Sequence, residues 1–356
     1  MHEAAPRQPA LAHVLDQVTK LTLLHRCLLA AWCRLSRERM LAARTARDIR
    51  VGPGALAGAA RWILGAMDAP AFRIDGPDEA AVPLVLDSPH SGRAMPPDFR
   101  AARTEAELRE FEDCFIDELF GAVTVRGAPL LAANFPRTYL DVNRDAADID
   151  PALLAEPWPD PLRPGSKSTI GKGLIWRTLE GGLPVYERKL SVAEVQQRIA
   201  RCHAPYHAAL KALLDGAHAR FGRVLHINCH SMGPTTSVTI EGVAGQPRAD
   251  FVLGDRDGST CDPSITEFVR AHLAGLGYDV RVNDPFKGVE LVRAYSDPAR
   301  GRHSLQLEVN KRLYMDCARL ERHEGFDTVR ARLGTPFDGL VHHCAPATSA
   351  ASSVPP

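Results

Sequence analysis

Short apolar runs alternate along the chain with longer stretches whose apolar residues recur every three to four positions. Val82 to Leu86 is a run bounded by Pro83 and Asp87, suited to a buried strand, and VLHIN, from Val224 to Asn228, is a second. Phe251 to Leu253, Tyr278 to Val282, Leu291 to Tyr295 and Ser304 to Val309 are further strand candidates. Helical spacing runs from Thr104 to Ala122 through Leu108, Phe111, Phe115 and Leu119, behind a capping box of Thr104 and Glu107. Ser191 and Glu194 form another capping box. It opens a helical pattern reaching Phe221, disturbed at Pro205 and stopped by Gly222. A helix from about Pro263 to Leu276 separates two of the strands. Such alternation predicts an α/β fold with a mostly parallel twisted sheet flanked by helices. Asp145 to Pro184 is a long polar stretch rich in Pro and Gly, which inside a compact domain predicts a lid or binding loop.

The ends follow different patterns. Residues 1–66 are rich in Ala, Leu and Arg, and their most apolar run, Leu21 to Leu35, is interrupted by His25 and Arg26. It is too short and too polar to cross a bilayer. This part is expected to be a helical or poorly ordered extension of no assigned role, followed by a single domain over residues 67–340. From Ala345 the tail APATSAASSVPP lacks the apolar content to order itself, so residues 345–356 are expected to be disordered.

Composition narrows the function. Lys plus Arg and Asp plus Glu both number 43, so no whole-chain field draws the protein to nucleic acid or a membrane, and a small-molecule partner is expected. Eight cysteines are scattered without a CxxC pair, which argues against a zinc ribbon or a disulfide scaffold. With no signal-peptide pattern in view, a cytoplasmic address is expected. No GxGxxG follows a strand, which excludes a Rossmann oxidoreductase. Oligomeric state has no signature.

In an open α/β sheet, ligands sit beyond the carboxyl ends of the strands. DSPHSG places His90 in a tight turn after the first strand, although a loop histidine taken alone is more often an exposed or hydrogen-bonded bystander than a ligand. In HINCHSMGP, His226 and His230 share a face but lie about 13 Å apart along the strand and cannot hold one ion. His230, at the strand end, is the candidate ligand, and His226 reads as a satisfied interior histidine. In SLQLEVN, Ser304, Gln306, Glu308 and Asn310 share one face. That pattern suits a half-solvated edge strand as well as a strand carrying the base of a metal hydrolase.

SPHSG, EDCFIDEL, RTYLDVNRD, HINCHSMGP, LGDRDGSTCDP, NDPFKG and LQLEVNKRLYMD, in that order from about Val82 to Asp316, resemble the N-formylglutamate amidohydrolase family. The resemblance implies a fold like that of zinc-dependent exopeptidases and cell-wall amidases, one catalytic Zn2+, and hydrolysis of an N-acyl bond on an acidic amino acid. It further implies His90, Asp113 and His230 as ligands and Glu308 as general base and acid. Arg137, Asn143, Arg144 and Arg293 are implied to bind substrate, with one arginine able to polarise the scissile carbonyl. A helical wheel, by contrast, puts Glu112 closer than Asp113 to the apolar stripe, so Glu112 stays an alternative ligand. Arg137 has a plainer reading as the partner of Asp141, and Lys287 as a turn residue with an exposed amine. The segment around SKSTIGKGLIWR matches the family only loosely. Two further functions stay open: an amidase for another N-acyl amino acid or a peptidoglycan stem, and a non-catalytic binding protein that kept the fold. The second predicts a degraded site, whereas His90, His230 and Glu308 are all present.

Overall fold

The computed structural model describes residues 70–343; the expected N-terminal extension and C-terminal tail lie outside them. Seven strands form one sheet: β1 (Phe72–Asp75), β2 (Leu84–Ser88), β3 (Leu130–Ala133), β4 (Val224–Met232), β5 (Phe251–Gly254), β6 (Val280–Val282) and β7 (Arg302–Asn310). Their spatial order is β1-β3-β2-β4-β7-β5-β6. β3, β2, β4 and β7 run parallel as a central block. β1 is antiparallel to β3 at one margin, and β5, itself parallel to β6, is antiparallel to β7 at the other. The carboxyl ends of the four central strands therefore lie along one edge.

Period-two alternation sends side chains of the sheet into two cores. Leu84, Leu86, Leu130, Leu225, Ile227, Leu305 and Leu307 point to one side, while Val85, Leu131 and Ala133 point to the other. Among the described residues, seven α-helices of five residues or more flank the sheet: α1 (Glu105–Arg109), α2 (Ile116–Thr124), α3 (Val192–Arg198), α4 (Ala204–Phe221), α5 (Pro263–Gly275), α6 (Glu290–Tyr295) and α7 (Gly325–His343). α2, α5 and α7 cover the first side through Leu119, Val269 and Leu333, and α4 covers the second through Tyr206, Leu210 and Leu214. Among the described residues no helix is long and apolar enough to cross a membrane.

Both capping boxes form as expected. At Pro205 the chain passes through one π-helical turn, Ile199–His203, before α4 begins; proline lacks the N–H that would continue the ladder. Three expectations need correction. β7 is no edge strand but lies between β4 and β5, buried from Ser304 onward. Leu291 to Tyr295 is helical, with Leu291 and Tyr295 one turn apart, because a short apolar run does not distinguish strand from helix by itself.

The third correction matters most. The pattern from Thr104 to Ala122 is two helices, α1 and α2, separated by a turn at Glu110–Phe115, with Phe115 in the left-handed region at φ 65°. The groups released by the break find new partners. Asp113 N–H donates to the His90 carbonyl at 3.0 Å, and Lys311 Nζ donates to the carbonyls of Glu110 and Glu112 at 3.2 and 2.6 Å. A continuous wheel has no meaning across such a turn.

Candidate active site

The polar face of β4 lies against the polar face of β7 in strict register: His226 opposite Ser304, Asn228 opposite Gln306, His230 opposite Glu308. A buried polar stripe is tolerated only if its groups are paired. His226 is the satisfied histidine expected, with Nε2 2.9 Å from Asp87 Oδ1 and Nδ1 3.0 Å from Ser304 Oγ. Asp87, fully buried in β2, also accepts from Tyr206 Oη and Asn228 Nδ2. Burial opposes its ionisation, but the bonds from His226, Asn228 and Tyr206 outweigh that and hold its carboxyl below the usual range.

This pairing fixes the rings at the strand ends. Because Asn228 Nδ2 is committed to Asp87, its Oδ1 faces His230 Nε2 at 2.7 Å, while Asn143 Nδ2 stands 3.1 Å from the same nitrogen; a proton on Nε2 satisfies the shorter contact and leaves Nδ1 with a lone pair. Burial also lowers the proton affinity of the His230 ring, against the pull of Asp113. His90 is set the same way by a carboxylate, with Nε2 2.6 Å from Asp141 Oδ1. Burial opposes the charge of Asp141, yet His90 and Arg137 hold it well below the usual carboxylate range.

His90 Nδ1, His230 Nδ1 and Asp113 Oδ2 meet at 3.2, 3.3 and 2.9 Å from one another, all buried, and Ser231 Oγ holds the other Asp113 oxygen at 3.1 Å. Four ligands about 2.0 Å from a tetrahedral ion stand about 3.3 Å apart, so three edges of that figure are already drawn. Two imidazoles turning unprotonated nitrogens toward one carboxylate oxygen suit a cation. Glu112 is not in this cluster. Its buried carboxyl has no hydrogen-bond partner for either oxygen, and burial pushes it up to about 8.

The cluster lies in the wall of a cavity of about 630 Å³ that also takes in Glu308, Arg137, Asn143 and Arg144. Glu308 is 7% exposed and accepts from Gln306 Nε2 at 2.9 Å; burial, with Asp113 nearby, pushes its carboxyl well above the usual range. Arg137 makes the expected pair with Asp141 at 3.0 Å while still facing the cavity. Asn143 accepts the N–H of Leu291 at 2.9 Å, which orients its amide. Arg293 is not brought to the cavity: its side chain is 53% exposed and paired with Glu290. Lys287 pairs with Asp257 in the open, as a turn residue would.

Several cavity residues went unread in the sequence. Lys167, Lys172 and Trp176 come from the stretch expected to be a binding loop, but nothing in their spacing singles them out. Gln306 was legible as a face-mate of Glu308. Arg248, paired with Glu241 at 2.6 Å, stands in a polar loop without periodicity.

Sheet and site together define an α/β protein with a buried two-histidine, one-aspartate cluster at the carboxyl edge of its parallel strands. The chain belongs to the N-formylglutamate amidohydrolase family, whose model matches residues 82–315. A solved structure, the N-formylglutamate amidohydrolase from Ralstonia eutropha JMP134, is similar at 46% identity and a TM-score of 0.73, covering 78% of this chain and 99% of that one. The N-formylglutamate deformylase of Pseudomonas aeruginosa (strain PAO1) is 31% identical over 239 residues, 66% of this chain and 83% of that protein. That of Pseudomonas putida is 29% identical over 243 residues, 67% and 84% of the two chains.

Proposed function

We propose that this protein hydrolyses N-formylglutamate to formate and glutamate with one zinc ion held by His90, Asp113 and His230. The observation that carries the reading is the convergence of three buried donors at 2.9 to 3.3 Å beside Glu308 in one cavity. Two imidazoles and a carboxylate leave a fourth position open, the pattern of catalytic rather than structural zinc. Bound there, zinc supplies Lewis acidity that acidifies water and polarises an acyl oxygen.

The chain's own groups do the rest. Glu308 takes a proton from the attacking water and delivers it to the leaving nitrogen, so the water oxygen ends in formate and the amide C–N bond breaks to give the free amine. Beside a dication, its carboxyl is drawn back toward the ionised state that a base requires. Arg137, whose charge is felt by both Asp113 and Glu308, stands where a guanidinium can stabilise charge building on the acyl oxygen. Asn143 and Arg144 line the same cavity and bind the amino-acid portion. Metal analysis of the purified protein, paired with an assay of formate release from N-formylglutamate, tests the proposal: about one zinc per chain and turnover abolished by chelation are expected, and full turnover without metal would overturn it.

A further inference from the structure

The cations around the cavity differ in how well they are neutralised. Lys172 pairs with Glu180 at 2.8 Å, Arg248 with Glu241 at 2.6 Å and Lys287 with Asp257 at 2.9 Å. Arg137 and Arg144, in contrast, share the single carboxylate of Asp141, at 3.0 and 3.8 Å, and that carboxylate also accepts from His90. Among the described residues Lys167 has no ion-pair or hydrogen-bond partner for its amine. Arg137, Arg144 and Lys167 thus have one directly paired carboxylate, Asp141, among the three of them, and all three line the same cavity. Their mutual repulsion is real: burial first, then Arg144, Lys172 and Arg137, lowers the proton affinity of the Lys167 amine.

We propose that Lys167, together with Arg144, forms the subsite that receives the side-chain carboxylate of the substrate, and so selects N-acyl amino acids whose side chain is acidic. The proposal rests on the function proposed above. Such a substrate carries two carboxylates, and the Lys167 amine, which has no partner of its own among the described residues, is free to meet one of them. The attachments of the two cations assign the ends of the wall: Arg137 is bonded to Asp141, which in turn holds His90 of the buried cluster, whereas Lys167 stands on the separate Ser166–Thr169 helix with no bond to that cluster. Arg137 is thus at the reacting end and Lys167 at the far end. The carboxylate beside the scissile nitrogen belongs near the former, and the side-chain carboxylate, further along the substrate, reaches the latter.

The backbone that carries Lys167 is also held in place before any ligand arrives. Its one-turn helix, Ser166–Thr169, is tied to the loop that carries Arg144 chiefly through Asp148, with Arg163 adding bonds to Ala147 and Asp145. Asp148 Oδ1 accepts from Gly165 N at 2.7 Å and from Ser168 Oγ, and its carbonyl accepts from Leu174 N at 2.7 Å. Two segments distant in sequence therefore present Lys167 and Arg144 as a pair, which lowers the entropy lost on binding.

The test compares Lys167→Met with the wild type in kcat/KM for N-formylglutamate and N-formylglutamine, substrates differing in the side-chain charge alone. The wild type should prefer the acid, and the variant should lose roughly 10- to 100-fold of that preference, chiefly through KM, as expected for a lost charge-assisted hydrogen bond. Lys167→Arg should keep most of it. A preference unchanged within about threefold in Lys167→Met, at a wild-type melting temperature, overturns the proposal; so does an equal loss in Lys167→Arg, since charge is then not the cause. Calorimetric titration with L-glutamate and L-glutamine reads the subsite without turnover. Should the wild type release no formate, the proposed function falls, while the subsite stands if glutamate binds preferentially and Lys167→Met removes the preference, and falls otherwise.

Discussion

His230 and Glu308 are register partners on β4 and β7, directly opposite each other in an unbroken parallel ladder that runs from Val224 and Arg302 to Met232 and Asn310. Adjacent strands stand about 4.8 Å apart, so the spacing between proposed ligand and proposed base is set by backbone hydrogen bonds rather than by a loop. Glu308→Gln keeps volume and removes the basic oxygen. Turnover should fall by about 100- to 10,000-fold with zinc content and melting temperature preserved. Loss of metal in step with activity would make Glu308 a ligand instead, and more than about a tenth of wild-type turnover would exclude it as the base.

The donors themselves are tested by metal content. His90→Ala and His230→Ala should each strip the zinc, because a three-donor site rarely holds its ion with two. Full occupancy in both variants, measured by atomic absorption on folded protein, would place the ion elsewhere.

Asn228 touches no ligand position yet sets the tautomer of His230 through its own bond to Asp87. Asn228→Ala frees the ring to turn or to protonate at the wrong nitrogen. Zinc affinity, measured by competition with a chelator, should drop by about 10- to 100-fold. An affinity unchanged in a stable variant would show that the ring is held by packing alone.

A pH dependence follows from His207, which stacks on His203 at 4.0 Å and meets the Val142 carbonyl at 2.8 Å and the Tyr295 hydroxyl at 2.9 Å. Burial, then the neighbouring His203, lowers its pKa to about 4. The unfolded chain, with an ordinary value of about 6.5, binds the proton more readily, so stability is full above pH 6.5 and is lost as pH falls from there toward 4. The loss should reach up to about 3 kcal/mol. Denaturant unfolding at pH 7.5 and 4.5 should show it, and His207→Gln should flatten the difference; an equal slope in both proteins would assign it to other groups.

What could be read in the sequence follows from what kind of signal each residue leaves. Strands with one apolar face, such as Leu305, Leu307 and Val309, reveal the opposite face as well, so Glu308 and Gln306 were legible together. His90 and His230 stand at strand ends, where the sheet architecture directs attention. The segment Glu110–Phe115 left a false signal: Leu108, Phe111, Phe115 and Leu119 keep helical spacing across a turn held open by Lys311, some 200 residues away. Long-range hydrogen bonds have no local periodicity. Arg293 misled for the opposite reason: Leu291 to Tyr295 reads equally as strand or helix, and only the helix turns the guanidinium out to Glu290. Lys167 left no trace at all, since its placement depends on Asp148 gathering two loops.

The turn between α1 and α2 also bears on the polymer physics of the chain. His90 and Asp113 are 23 residues apart and Asp113 and His230 are 117 apart, so an ion bound by all three closes two successive loops of very unequal length. Closure entropy grows only with the logarithm of loop length, about 0.6 kcal/mol for each doubling, which makes the long loop only about 1.4 kcal/mol costlier than the short one. An ion held by all three would thus act as a non-covalent cross-link through Asp113, joining the Glu110–Phe115 turn to the loop that follows β2 and to β4.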